Sequence, residues 1–161
     1  MSKVLPNLYI GNYDDATNHM LLHANDITHI LNCAYEIDSN HHKECFKNKK
    51  IHLDDASGQR LMPHIAEAYN FVDKAIEGGG IIIIHCAMGI SRSVSTAIYY
   101  LMRKYNMTYD EALHLIQRSR SIAQPNQSFE GQLRQIQTER KIGTPGSART
   151  SKIKYARMMK N

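Results

Sequence analysis

Cys86 and Arg92 lie six positions apart in the stretch Ile81-Ile82-Ile83-Ile84-His85-Cys86-Ala87-Met88-Gly89-Ile90-Ser91-Arg92-Ser93. The four isoleucines are β-branched and too few for a helix, which fits a central parallel strand covered on both faces. From Ser93 onward apolar residues recur at helical spacing, so the intervening loop joins the carboxyl end of a strand to a helix N-terminus. Such a loop aims several backbone N–H groups into one concavity, and the helix dipole adds positive potential there. The result is an anion cradle. It lacks the G-x-x-x-x-G-K-[ST] pattern, so nothing argues for a nucleotide loop with its lysine and magnesium. A cysteine stands at the mouth instead, and oriented amides, helix terminus and Arg92 all favour its thiolate, the nucleophilic form. The planar guanidinium of Arg92 can hold two phosphoryl oxygens at once, a geometry lysine does not reproduce.

The elements that must position these groups are legible in outline. Residues 5–12 read as a short extended segment with a turn, a first strand or edge hairpin. Residues 14–24 carry Ala16, Met20 and Leu21 at helical spacing, with aspartates at the positive end of the dipole. Residues 27–33 read as a buried strand, 41–50 as a polar surface loop, and 51–53 as a short strand leading into Asp54 and Asp55. A helix over 62–77 places Ile65, Ala68, Tyr69, Val72 and Ile76 on one face and stops at three glycines. The helix after the loop carries Val94, Ala97, Ile98, Leu101 and Met102. Thr108 with Glu111 forms a capping box opening a helix to about residue 118. A last helix over about 127–140 turns Phe129, Leu133 and Ile136 inward. Strands alternating with helices indicate a single α/β domain with a mostly parallel central sheet flanked by helices.

Composition bounds the rest. The 161 residues, 42% hydrophobic, suffice for one domain with its own core. Residues 140–161 hold seven cations and no acid, which leaves 13 cations against 15 anions in residues 1–139. The basic character therefore belongs to a tail, 143–161, expected to be flexible, and nucleic acid is not an expected partner of the folded part, 1–142. Three irregularly spaced cysteines suit reduced thiols. His41-His42-x-x-Cys45 lacks a fourth ligand and reads as solvated surface, so no metal is expected. No apolar run approaches the length of a membrane span and the first residues do not read as a secretory leader, so the expectation is a cytoplasmic, also nuclear, protein.

His85-Cys86-x5-Arg92-Ser93 resembles the cysteine phosphatase signature, and HCAMGISRS is similar to that of the dual-specificity protein phosphatases. The resemblance extends from residue 3 to 139. It includes Leu5-Pro-Asn-Leu-Tyr-Ile-Gly-Asn12, Thr28-His-Ile-Leu-Asn32, the Asp55 segment, residues 105–112, and Pro125-Asn126 with Phe129, Gln132 and Leu133. The chain most resembles the small atypical members that consist of the catalytic domain alone. Some close members begin Met-Gly and are myristoylated; Ser2 stands here, so no membrane anchor is expected.

The resemblance implies roles. Cys86 attacks phosphorus to give a phosphocysteine, and Arg92 with the amides of Ala87, Met88, Gly89, Ile90, Ser91 and Arg92 holds the phosphoryl oxygens. Ser93 donates to the departing sulfur. His85 braces the loop from behind, Asn32 buttresses its underside, and Asn126 positions loop or water. Aligning Leu61 with the family's apolar residue six places past its acid selects Asp55 as general acid and base, with Asp54 as the fallback. Cys33 follows a strand expected beside the catalytic one and reads either as a small core residue or as a redox partner of Cys86. Met88 and Ser128 depart from the commoner alanine and glycine at their positions. The implied function is metal- and cofactor-independent hydrolysis of phosphotyrosine and phosphoserine or phosphothreonine in proteins, with phosphorylated proteins, signalling kinases among them, as partners. The rivals are the same chemistry on phosphoinositides or RNA 5′ ends, a phosphopeptide-binding module without turnover, and sulfur transfer.

Overall fold

The structure is a computed structural model that describes residues 1–38, 44–142, 155, 156 and 159. Five strands form one sheet: β1 (Ser2–Leu5), β2 (Leu8–Gly11), β3 (His29–Ala34), β4 (Lys47–Leu53) and β5 (Ile82–His85), in the order β1-β2-β5-β3-β4. β1 and β2 make the expected antiparallel hairpin, while β2, β3 and β4 join the rest of the sheet in parallel. The isoleucine strand is central because every one of its faces is apolar. Ile82 and Ile84 enter the main core and Ile83 the smaller one behind the sheet, all without solvent exposure. Each such burial contributes about 1.5–3 kcal/mol.

The helices are α1 (Tyr13–Thr17), α2 (His19–Ala24), α3 (Met62–Glu77), α4 (Arg92–Tyr105), α5 (Tyr109–Gln117) and α6 (Gln127–Glu139). α4, α5 and α6 bury apolar faces in the main core, α4 almost all round, while α3 buries Ile65, Ala68 and Val72 and leaves Tyr69 and Ile76 half-buried against the core. The Thr108–Glu111 capping box is present in full.

Two expectations are corrected. The helix expected over 14–24 is two short ones, because the Asn18 side chain accepts from Leu21 N–H and restarts the helix. That break turns Leu22 inward and leaves Met20 83% exposed. The surface loop expected to reach residue 50 gives way at Lys47 to β4, an edge strand whose lysines blunt the edge. His41 and His42 lie outside the described residues, and so does most of the tail. Tyr155, which is described, packs edge-on against Tyr105 at 5.9 Å between ring centroids.

Parallel pairing has one consequence for chemistry: the carboxyl ends of β3, β4 and β5 lie along the same edge of the sheet. The segments leaving them carry Glu36, Asp55 and Cys86 respectively. In open parallel sheets this edge is where ligands bind.

Candidate active site

β5 ends at His85 and α4 begins at Arg92, so the loop between them is the strand-to-helix connection expected from the sequence. Cys86 is only 2% exposed. Its sulfur receives the Gly89 N–H at 3.2 Å and lies 3.3 Å from the Ser93 hydroxyl. The turn that delivers this amide needs Gly89, whose φ is +66° and whose Cβ, if present, would come within 2.6 Å of the Gly11 carbonyl oxygen.

Arg92 is buried beneath the loop. Its Nη1 donates to Glu36 Oε2 at 2.6 Å and to the Leu53 carbonyl at 3.3 Å, while buried Nε has no hydrogen-bond partner. The nearest Asp55 oxygen is 4.0 Å from that Nε. Burial works against the charge of Arg92, but the Glu36 hydrogen bond, Cys86 and the two carboxylates outweigh it and raise its pKa. The same hydrogen bond holds the Glu36 carboxyl below the usual range. One edge of the guanidinium is thus fixed by protein, and Nε is left able to donate to an anion.

Asp55 closes the third side. Its Oδ1 accepts from the Ser91 hydroxyl at 2.8 Å and from Asn126 Nδ2 at 2.7 Å, and the Ser91 oxygen accepts in turn from Asn126 N–H at 3.1 Å. Asn126 also caps α6 through Phe129 N–H. Asp54, the fallback, is exposed, and its backbone N–H donates to Gln59 Oε1 at 3.0 Å. The acid-bearing loop is pinned by α6. Gln132 accepts from Leu61 N–H and donates to the Gln59 carbonyl, both at 2.8 Å, and Ser128 donates to the Ser57 carbonyl at 2.8 Å. The serine at position 128 is therefore a support of this loop.

A sulfur and a guanidinium from the segment after β5 meet here with one carboxylate from each of the segments after β3 and β4. Residues 8–139 match the family described as "Dual specificity phosphatase, catalytic domain". The chain belongs to that family. Human Protein phosphatase Slingshot homolog 3 is 40% identical over 136 residues, which cover 84% of this chain and 20% of that protein. Dual specificity protein phosphatase 1B of Arabidopsis thaliana is 36% identical over 137 residues, covering 85% and 81%. The chain spans about a fifth of the length of the Slingshot relatives it matches. Among solved structures, DUSP15 aligns with a TM-score of 0.80 at 28% identity, covering 98% of this chain and 95% of that one. A human protein described as tyrosine phosphatase-like serine/threonine/tyrosine-interacting protein aligns at 0.81 and 27% identity, covering 87% and 97%.

Within this dual specificity phosphatase domain the supporting residues fall partly where expected. His85 ends β5 beside Asn32 in register, and both are buried. Asn32, expected under the catalytic loop, directs its amide to Ala34 N–H and the Ile37 carbonyl, so it shapes the segment that carries Glu36. Cys33 is fully buried, its thiol 3.5 Å from the Thr96 hydroxyl, and burial pushes that thiol's pKa far up. Cys45 is exposed, and no cluster of three or more metal-ligating side chains occurs among the described residues.

Two residues that hold the site in shape are not legible among the sequence motifs. Glu36 is one. Arg120 is the other: buried, it donates through Nε to the Gly89 carbonyl at 2.6 Å and through Nη2 to the Met88 carbonyl at 3.1 Å. In a planar trans peptide the carbonyl and the following N–H point opposite ways. Drawing those two carbonyls toward Arg120 therefore turns the amides of Gly89 and Ile90 the other way, and the Gly89 amide meets the Cys86 sulfur. A signal for Arg120 exists in its phase: it continues the buried Tyr109, Ala112, Ile116 face, where a charge must find partners.

Proposed function

We propose that this chain is a protein phosphatase that removes phosphate from phosphotyrosine and phosphoserine or phosphothreonine through a phosphocysteine, without metal or cofactor. Cys86 attacks phosphorus in line. The S–P bond forms as the P–O bond to the substrate side chain breaks, and Asp55, aimed at the loop by Ser91 and Asn126, delivers the proton the leaving oxygen needs. Asp55 then takes a proton from water as the water oxygen bonds phosphorus and the S–P bond breaks, releasing inorganic phosphate. The Ser93 hydroxyl stabilises the departing sulfur. Arg92 Nε and the loop amides hold the equatorial oxygens through both steps, electrostatic stabilisation that comes with the fold.

The observation that carries this reading is the Cys86 sulfur held by Gly89 N–H and facing Ser93, with Arg92 and Asp55 within one ion-pair distance of each other. Membership of the family supports phosphoprotein substrates, but a neighbour described as phosphatase-like and interacting warns that fold alone does not distinguish turnover from binding. Cys86, Arg92 and Asp55 favour turnover. Ala87, Met88 and Ile90 add no charge inside the loop, which disfavours phosphoinositides and RNA 5′ ends. Phosphate release from an aryl phosphate, compared between this protein and Cys86→Ser, tests the reading. Turnover by the native protein and none by the variant is expected, and equal release from both overturns it. Parallel assays on phosphopeptides, phosphoinositides and 5′-triphosphorylated RNA test the substrate class, which is wrong if only a non-protein substrate is hydrolysed.

A further inference from the structure

Six large apolar side chains are exposed among the described residues, and four of them stand on segments tied to the catalytic loop. Met88, 65% exposed, belongs to the loop itself. Tyr13, 38% exposed, donates its N–H to the Ala87 carbonyl at 3.1 Å. Tyr35, 64% exposed, precedes Glu36, and its N–H donates to the same Leu53 carbonyl that receives Arg92. Ile122, 53% exposed, lies between Arg120, bonded to Gly89, and Gln124, whose N–H donates to the Ile90 carbonyl at 2.9 Å. Four separate stretches of chain thus bring an apolar group to the surroundings of one recessed sulfur, whereas a soluble surface usually scatters such groups singly.

Several charges nearby are already engaged. Glu36 holds Arg92, Asp55 holds Ser91 and Asn126, and the guanidinium of Arg120 is spent on loop carbonyls. Lys50 donates to the Tyr35 carbonyl. We propose that the rim formed by Tyr13, Tyr35, Met88 and Ile122 selects phosphorylated polypeptide segments whose residues next to the phosphoresidue are large and apolar. This rests on the phosphatase reading and names its substrate class. The occupant is a polypeptide because Cys86 is recessed: in a phosphoprotein the phosphorylated side chain reaches it while the residues on either side cross the rim.

The test is kcat/KM on three matched phosphotyrosyl peptides that differ only at the two positions flanking the phosphoresidue, with Leu, Ser or Glu there. The Leu peptide is expected to exceed the Glu peptide by about tenfold, the lower end of what one methylene contributes in a hydrophobic pocket. In Tyr35→Ser and Ile122→Ser, both at exposed positions, the Leu-to-Glu ratio is expected to fall to about threefold or less. A native ratio near one, a preference for Glu, or a ratio unmoved in both variants overturns the rim. The same peptides are titrated against Cys86→Ser by fluorescence anisotropy. If no peptide and no aryl phosphate is hydrolysed, the phosphatase reading fails, and the order of Kd values then decides the rim alone.

Discussion

Replacing Arg120 tests whether the catalytic loop is held in shape from behind. The side chain donates to two successive loop carbonyls, at 2.6 and 3.1 Å, and each hydrogen bond to a charged group contributes about 1.5–3 kcal/mol. Arg120→Ala removes both and leaves two carbonyls without this partner. Because the bonds share one side chain their losses are not additive, so the expected destabilisation is about 3 kcal/mol, the lower end of their sum. For a chain of this size that lowers Tm by about 6–12 °C. Arg120→Lys keeps the charge but loses the fork, and should fall about midway. Catalysis should suffer separately, because the amides of Gly89 and Ile90 share peptide planes with the carbonyls that Arg120 holds. Losing one oxyanion donor outright costs about 10²–10³ in kcat. A loosened pair of donors should cost about 10–100-fold. The assay is kcat and KM for an aryl phosphate well below the variant's Tm, alongside thermal unfolding. If Arg120→Ala keeps kcat within twofold while folded, the peptide planes are fixed by something else and the reasoning fails.

Asp55→Ala should slow an ester with a poor leaving group, such as phenyl phosphate, about 10²-fold or more, while a good leaving group such as nitrophenolate loses far less; equal losses move the acid elsewhere. Glu36→Gln should raise KM for an aryl phosphate about threefold, a small effect because the carboxylate is half exposed and Leu53 still holds Nη1. Since Arg92 lowers the Glu36 pKa below its ordinary 4.5, the pair's contribution is full above that value and fades only as pH falls through the folded one. The ratio of native to Glu36→Gln activity should therefore stay flat between pH 5 and 7, roughly the range above carboxylate titration. Gly89→Ala forces a β-carbon into a left-handed residue, costing about 1–2 kcal/mol, and against the Gly11 carbonyl; loss of activity with a lowered Tm is expected, and native-like kinetics would refute the tight turn. Peroxide should inactivate through Cys86, and because burial disfavours the Cys33 thiolate, Cys33→Ala should leave the fraction recovered by thiol reductant unchanged; a marked drop makes Cys33 the resolving partner.

What the sequence disclosed was what local rules encode. Four β-branched residues in a row name a buried strand, Thr108 and Glu111 name a helix start, and a cysteine and arginine spanning a strand-to-helix loop name an anion site. Two misses were also local. Asn18 interrupts a plausible helix because its side chain competes for a backbone N–H, and β4 hides in a lysine-rich stretch because an edge strand need not alternate. The deeper misses depend on strand order. Glu36 lies 56 positions from Arg92, and nothing at either position announces the other until β3 is seen beside β5 with both running the same way. The order β5-β3-β4 is what lines up the exits of three parallel strands, so that the Cys86 thiol after β5, the Glu36 carboxylate after β3 and the Asp55 carboxylate after β4 meet at one edge. Local chemistry could therefore name the proposed nucleophile and its clamp, and only topology could supply the carboxylate that holds Arg92.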